Sequence, residues 1–456
     1  MRVANIVGIM RTREAALPRE IWVLVAASFV IALGFGLVAP ALPQFARSFD
    51  VGVTAASVVI SAFAAMRLIF APFSGRLVQK LGERPIYITG LLIVAVSTGA
   101  CAFAETYWQL LVFRALGGIG STMFTVSALG LLVRIAPPDA RGRVSGLYAT
   151  SFLLGNIFGP LVGGALTGLG LRAPFLIYAV ALLIAAAVVG VQLRSSHLAQ
   201  PAKGEELRVM GLREALGSPV YRAALGSNFA NGWVVFGVRV AMVPLFVVEA
   251  LEQGEAFAGV ALTAFAVGNA LVLIRSGRWS DRYGRRPFVL AGLLVCGVST
   301  IVMGLTESVA LFLVTSLVAG MGSGLSNPSQ QAAVADVVGS KARGGPVLAT
   351  FQMTADIGTV IGPIVAGLLA QHLSFSAAFA ATGMIMLIAA IPWFFAGRSR
   401  DAAPAADDVR NDGAVSGDGG VSNDGGVSND GGVSNDGGVS NDGGVSNDTG
   451  SRAQDR

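Results

Sequence analysis

Very few residues in this chain sit where they could do chemistry. One carboxylate, Asp356, lies deep inside an apolar stretch, about ten residues or about 15 Å at helical rise from the nearest end. Three arginines, Arg67, Arg114 and Arg239, also interrupt apolar stretches, and Arg67 stands at nearly the same depth as Asp356. A carboxylate in a low-dielectric setting can bind and release a proton, and a neighbouring guanidinium shifts that affinity. Covalent chemistry has no such set of partners. The only histidines, His197 and His372, fall on opposite sides of the predicted membrane. The only cysteines, Cys101 and Cys296, lie in different apolar stretches with no metal or disulfide spacing. No Gly-Lys-Ser/Thr phosphate loop is present. No catalytic residue, metal or cofactor is expected, and the chain does not read as an enzyme.

The elements that position these residues follow from composition. Of 456 residues 54% are hydrophobic and only 13% charged, with a mean hydropathy of +0.68. That is about half the charge of a soluble domain, so lipid must solvate much of the chain. Apolar stretches near the ~20 residues that cross a bilayer begin at Ile21, Val53, Pro85, Tyr107, Val144, Ala173, Tyr221, Phe257, Pro287, Val309, Val347 and Ala377. Hydrocarbon offers the backbone no partners, so each must be a helix. They are numbered spans 1 to 12. An even count puts both termini on one side. Lys and Arg concentrate in alternate connections, such as Arg76, Lys80 and Arg84, then Arg275 to Arg286. The other connections hold Arg47 and Arg172 with Glu105, Glu249, Glu252, Glu255 and Glu307. The positive-inside rule makes the first set, and both termini, cytoplasmic. The net charge of +5 reflects this topology and implies no nucleic acid. The first apolar run has no clear small-residue cleavage site and reads as an uncleaved anchor.

The chain repeats itself. GRLVQKLGERP (75–85) returns as GRWSDRYGRRP (277–287), and RALGGIGS (114–121) as SLVAGMGS (316–323), both 202 residues on. GNIFGPLVGG (155–164) returns as GTVIGPIVAG (358–367) at an offset of 203. In spans 1 and 7, Phe35-Gly36 and Pro43 correspond to Phe236-Gly237 and Pro244. Tandem halves related by an axis along the membrane normal are one architecture of secondary transporters. The expected organisation is a six-helix bundle over 1–194, a cytoplasmic linker over 195–220 and a second bundle over 221–398. Residues 399–456 form an acidic tail with five copies of DGGVSN between Asp418 and Asn447. It is too polar to bury a core and is expected to be disordered.

These motifs resemble the major facilitator superfamily over roughly residues 20–397. Gly277, Asp281, Arg282, Gly284 and Arg285 fit the family's loop signature, in its second-half copy between spans 8 and 9. Gly277 is expected to allow close helix contact and Gly284 a tight turn. The resemblance implies that this cluster latches the halves in one conformation. The first-half copy keeps Gly75, Gly82 and Arg84, but Gln79 stands where an acid is expected, which implies a weaker latch. Arg114 in span 4 matches a second motif, for which the resemblance implies a part in proton transfer; a structural arginine is the other reading. Gly155, Gly159, Pro160, Gly163 and Gly164 in span 5 match a pattern associated with proton-coupled antiporters, chiefly drug exporters. On residues alone it is a smooth helix-packing face, with Pro160 freeing the Asn156 carbonyl.

In that fold spans 2 and 11 adjoin across the halves, so Arg67 and Asp356 are expected to form a buried pair. The pair is either structural or a proton carrier with its switch. Helices 1, 4, 7 and 10 line the family's cavity, which makes Asn228, Asn231, Trp233, Arg239, Asn327 and Gln330 cavity candidates; interhelical bonding is their other reading. The reading is an all-α protein of two six-helix bundles related by a pseudo-twofold, in the plasma membrane and monomeric. It would exchange protons for hydrophobic drugs or small metabolites. Uptake of a sugar or organic acid, and signalling through the tail, are the alternatives.

Overall fold

The computed structural model describes residues 17–135, 141–193, 210–338 and 345–396. The acidic tail, the N-terminal Arg2, Arg11 and Arg13, His197 and residues 195–209 of the expected linker lie outside the described residues. All regular elements among the described residues are helical. In chain order, span 1 is Arg19–Arg47, span 2 Val53–Leu81, span 3 Glu83–Ala102 and span 4 Tyr107–Leu132. Span 5 is Gly146–Leu169, span 6 Ala173–Gln192 and span 7 Pro219–Glu249. Spans 9 to 12 are Arg285–Gly304, Val309–Val338, Pro346–His372 and Phe375–Phe395. Each of these eleven is long and apolar enough to cross a bilayer by itself. Span 8, Phe257–Tyr283, qualifies as two segments meeting at 44° on either side of Ile274. The protein is thus a multi-span membrane protein of two six-helix bundles.

Several spans outrun their apolar stretch. Span 2 has 29 residues, of which the last turns carry Arg76 and Lys80. A helix continues past the hydrocarbon because its backbone bonds remain satisfied in the interface. Span 7 starts at Pro219, two residues before its apolar stretch. Pro219 suits the first helical position, and Ser218 Oγ accepts from the Tyr221 backbone N–H.

Matched positions in the halves build matched geometry. Gly82 and Gly284, 202 residues apart, both adopt positive φ, +83° and +92°, and turn the chain between spans 2 and 3 and spans 8 and 9. Arg84 Nη2 donates to the Gly190 carbonyl at 2.8 Å, tying span 3 to span 6. Its repeat mate Arg286 donates to the Phe394 carbonyl at 2.5 Å, tying span 9 to span 12. Arg67 Nη1 donates to Ser121 Oγ at 3.2 Å, and the matched Asn269 Nδ2 to Ser323 Oγ at 3.3 Å. The pseudo-twofold therefore extends to side-chain contacts.

Spans 1 and 7 are irregular. In span 1 the helices Arg19–Val38 and Ala41–Arg47 meet at Ala39–Pro40. Pro40 and Pro43 remove the donors for the carbonyls of Gly36 and Ala39, which permits the break. In span 7, Gly232–Val238 widens into a π-helical turn.

Candidate functional site

Contacts between the halves run from one end of the molecule to mid-depth. At the end carrying the loop after span 1, Arg47 Nε meets Glu249 Oε1 at 3.0 Å. Nearby, the Thr54 backbone N–H of span 2 donates to Gln371 Oε1 of span 11 at 3.1 Å. Spans 5 and 8 touch where a β-carbon on Gly164 would fall 2.4 Å from the Ala256 carbonyl and 2.9 Å from Gly259 Cα. Thr263 Oγ1 donates to the Ile157 carbonyl at 3.4 Å in the same seam. Deepest lies the ion pair. Arg67 Nε stands 3.7 Å from Asp356 Oδ1, about 20 Å along span 2 from Thr54 at helical rise.

That pair is slack. A distance of 3.7 Å is beyond hydrogen bonding, and Arg67 Nε has no hydrogen-bond partner. Arg67 spends a hydrogen bond on Ser121 instead. Both side chains keep some accessibility, 24% for Arg67 and 15% for Asp356. Asp356 is thus held by charge rather than by a directed bond.

The two signature glycines at the arginine-rich end stand free of helix contact. A β-carbon on Gly75 or Gly277 would meet nothing within 4 Å. The close helix contact expected at Gly277 is therefore not made in this conformation, where the space beside its α-carbon is open. Arg285 bonds within its own half: it contacts Asp281, donates from Nη1 to Ser280 Oγ at 3.0 Å and reaches Asp336 Oδ2 from Nε at 3.1 Å. Arg282 lies over the Tyr283 ring. Gln79 is exposed. The cluster is assembled without engaging the other half.

The span-5 glycines pack as their spacing suggests. Gly155 faces Ala32 and Leu33, Gly159 faces Leu33 and Gly36, and Gly163 faces Leu37, all on span 1. Gly164 turns to span 8. Pro160 contributes its carbonyl to that second seam, 2.2 Å from where a Gly259 β-carbon would be.

Among the cavity candidates, three are joined to each other. Gln330 Oε1 accepts from Ser227 Oγ at 2.8 Å, and its Nε2 reaches Asn228 Oδ1 at 3.4 Å and Asn327 Oδ1 at 3.0 Å. Asn228 Nδ2 donates to the Phe351 carbonyl at 2.6 Å. This network joins spans 7, 10 and 11, which is the interhelical reading of those amides. Asn231 Oδ1 and Trp233 Nε1 are buried without a hydrogen-bond partner. Arg239 is buried among spans 7, 8 and 10, and Arg114 inside the first bundle. The contacts of Arg47, Glu249, Gln371 and Asp336 were not singled out by motif. For Arg47 and Glu249 the signal was available: they lie 202 residues apart with opposite charge.

The sequence profile of the Major Facilitator Superfamily matches residues 24–238 and again 224–417, once per half. The chain belongs to the Major Facilitator Superfamily. It is a secondary transporter of that superfamily, which comprises carriers of small molecules rather than enzymes. Among its relatives is the multi-drug resistance efflux pump PmrA homolog of Lactococcus lactis, 25% identical over 84% of this chain and 96% of the relative. The class G tetracycline resistance protein of Vibrio anguillarum is 26% identical over 79% and 91%. The quinolone resistance protein NorA of Staphylococcus aureus is 25% identical over 77% and 90%. Of solved structures, a bacterial homolog of the human lysosomal transporter Spinster, inward-facing and unoccupied, shares the fold. Its TM-score is 0.70 at 18% identity, covering 84% of this chain and 96% of that one. A POT family transporter matches with the same TM-score at 13% identity, over 83% and 96%.

Proposed function

We propose that this superfamily member expels hydrophobic drugs or small metabolites in exchange for protons, by alternating access. The slack Arg67–Asp356 pair carries the reading. It bridges the halves at mid-depth, so any rocking that opens the Arg47 end must pull it apart. Asp356 then loses its cation inside a low-dielectric interface and gains affinity for a proton. Closing the halves returns Arg67 and displaces that proton. Separating the two leaves a largely buried carboxylate without its counter-ion, which costs several kcal/mol, and taking up a proton relieves that cost.

The span-5 glycine face and the names of the relatives, which concern multidrug, tetracycline and quinolone resistance, favour export. The arginine-rich end bearing Gly82 and Gly284 faces the cytoplasm together with both termini, in the plasma membrane, by the positive-inside rule. Residues 1–194 and 221–398 act as the rocking bundles and 195–220 as their tether. The partners are then protons, lipid and one small-molecule substrate, in a monomer. The Asp281–Arg285–Asp336 cluster serves as the latch for the opposite state.

Cells expressing the chain should accumulate less of a fluorescent hydrophobic dye than cells without it. The difference should vanish when the proton gradient is collapsed. A difference that persists without the gradient would refute proton coupling; none across a broad dye panel would refute drug export.

A further inference from the structure

The two bundles each hold one arginine deep in their interior, and the two arginines are not related by the repeat. Arg114 belongs to span 4, and its repeat mate in span 10 is Ser316. Arg239 belongs to span 7. Yet the two guanidinium groups lie on rings that the repeat matches. The Arg114 guanidinium carbon stands 4.2 Å from the centroid of Phe63. That of Arg239 stands 3.8 Å from the centroid of Phe265. Phe63 and Phe265 are 202 residues apart, matched in spans 2 and 8. Both phenylalanine carbonyls pack on the matched Gly118 and Gly320, where a β-carbon would fall 2.2 and 2.0 Å away.

Ser316 accounts for the exchange. It is fully buried, and its small side chain leaves the space that an arginine fills in the first half. Arg239 Nη1 enters that space and donates to Ser316 Oγ at 3.1 Å, and Ser316 Oγ donates to the Ala261 carbonyl at 3.1 Å. Arg114 is 7% exposed and Arg239 4%. Arg114 Nε, and Arg239 Nε and Nη2, have no hydrogen-bond partner. A desolvated guanidinium without an acid is costly, and an aromatic face offsets only part of that cost. A buried cation on the matched ring of each half, supplied by two different helices, points to a requirement for charge at that place.

We propose that Arg239 is a positioning residue that replaces Arg114 in the second half. Span 7 supplies the internal cation that span 10 lacks, and the cation clamps span 7 to the seam between spans 8 and 10. The proposal adds to the transporter reading and uses it only for the transport readout. Because Arg239 and residue 316 address one space, their substitutions must couple.

The test is a cycle of Arg239→Ala, Ser316→Arg and the double variant in the full chain, with thermal midpoints in detergent and gradient-driven dye efflux. Each single variant is expected to lose midpoint temperature, the first by emptying the site and the second by crowding two cations. The double variant should regain at least half of that loss, and with it efflux. Additive losses, or an Arg239→Ala protein as stable as the parent, would overturn the proposal. Arg239→Lys and Arg239→Met separate charge from volume. Efflux should fall about tenfold or more in the Met variant and stay higher in the Lys variant; equal efflux in the two would also overturn it. A parent without gradient-driven efflux would end the drug-export reading, while the thermal cycle would still decide this one.

Discussion

Arg47 Nε and Glu249 Oε1 meet at 3.0 Å across the two halves, from positions 202 residues apart, the period of the repeat. The pseudo-twofold brings the ends of spans 1 and 7 together, and opposite charges at the paired positions turn that approach into a clamp. Both side chains are partly exposed, so the bond is worth about 0.2–1 kcal/mol. Reversing either charge should shift the ratio of closed to open molecules by up to about fivefold. Spin labels at Ser48 and Glu252 would report a broader, longer distance in Arg47→Glu and in Glu249→Arg, and recovery in the double reversal.

Glycines at the two faces of span 5 divide between two tasks, and substitutions on span 5 and on span 8 opposite it should separate them. Gly155 packs only on span 1, inside one half, whereas Gly259 packs on Pro160 and Gly164 across the halves. Overpacking costs about 1–3 kcal/mol in either place. Gly155→Val should lower the thermal midpoint of the purified protein. Gly259→Val should leave that midpoint closer to the parent while raising labelling of cysteines placed at the Arg47 end.

The amide network of spans 7, 10 and 11 distinguishes packing from substrate contact. Gln330→Leu strands Asn228 Oδ1 and Asn327 Oδ1. Leaving buried polar groups unpaired costs about 1–3 kcal/mol, so the thermal midpoint should fall. The apparent KM for dye efflux should stay near that of the parent. A large KM change with an unaltered midpoint would place Gln330 against the substrate instead.

In the loop signatures, Asp281 is bonded and Gln79 is exposed. Asp281→Asn should therefore reduce efflux more than Gln79→Ala, by up to about fivefold if the pair behaves as a surface bridge. Initial rates of dye extrusion, corrected for membrane content, measure this. Equal effects would mean that the signature does not act through Arg285.

The fold was legible in the sequence because its signals are long and redundant. Twenty-residue apolar runs leave no alternative to helices in lipid, and the repeat predicts which spans correspond. The Arg67–Asp356 contact was accessible from depth counting together with the superfamily's helix order. What escaped is three-dimensional. Span 7 borders the cavity in the superfamily, which makes Arg239 a cavity candidate on sequence, but its side chain lies inside the bundle against Ser316 and the Phe265 ring. Asn228, Asn327 and Gln330 look alike whether they bond a substrate or each other, and only rotamers decide. The open space beside Gly277 is set by how the helices are arranged around it, which no local motif encodes.

The measurement that bears most directly on the account is drug-driven proton movement in proteoliposomes containing Asp356→Asn. An asparagine keeps the size and polarity of the side chain but cannot carry the proton. The account predicts that adding substrate to the parent protein moves protons in the opposite direction, seen with a lumenal pH dye. In the Asn variant, substrate still binds, as read by quenching of intrinsic tryptophan fluorescence, and no proton movement follows. Undiminished proton movement in that variant would contradict the account.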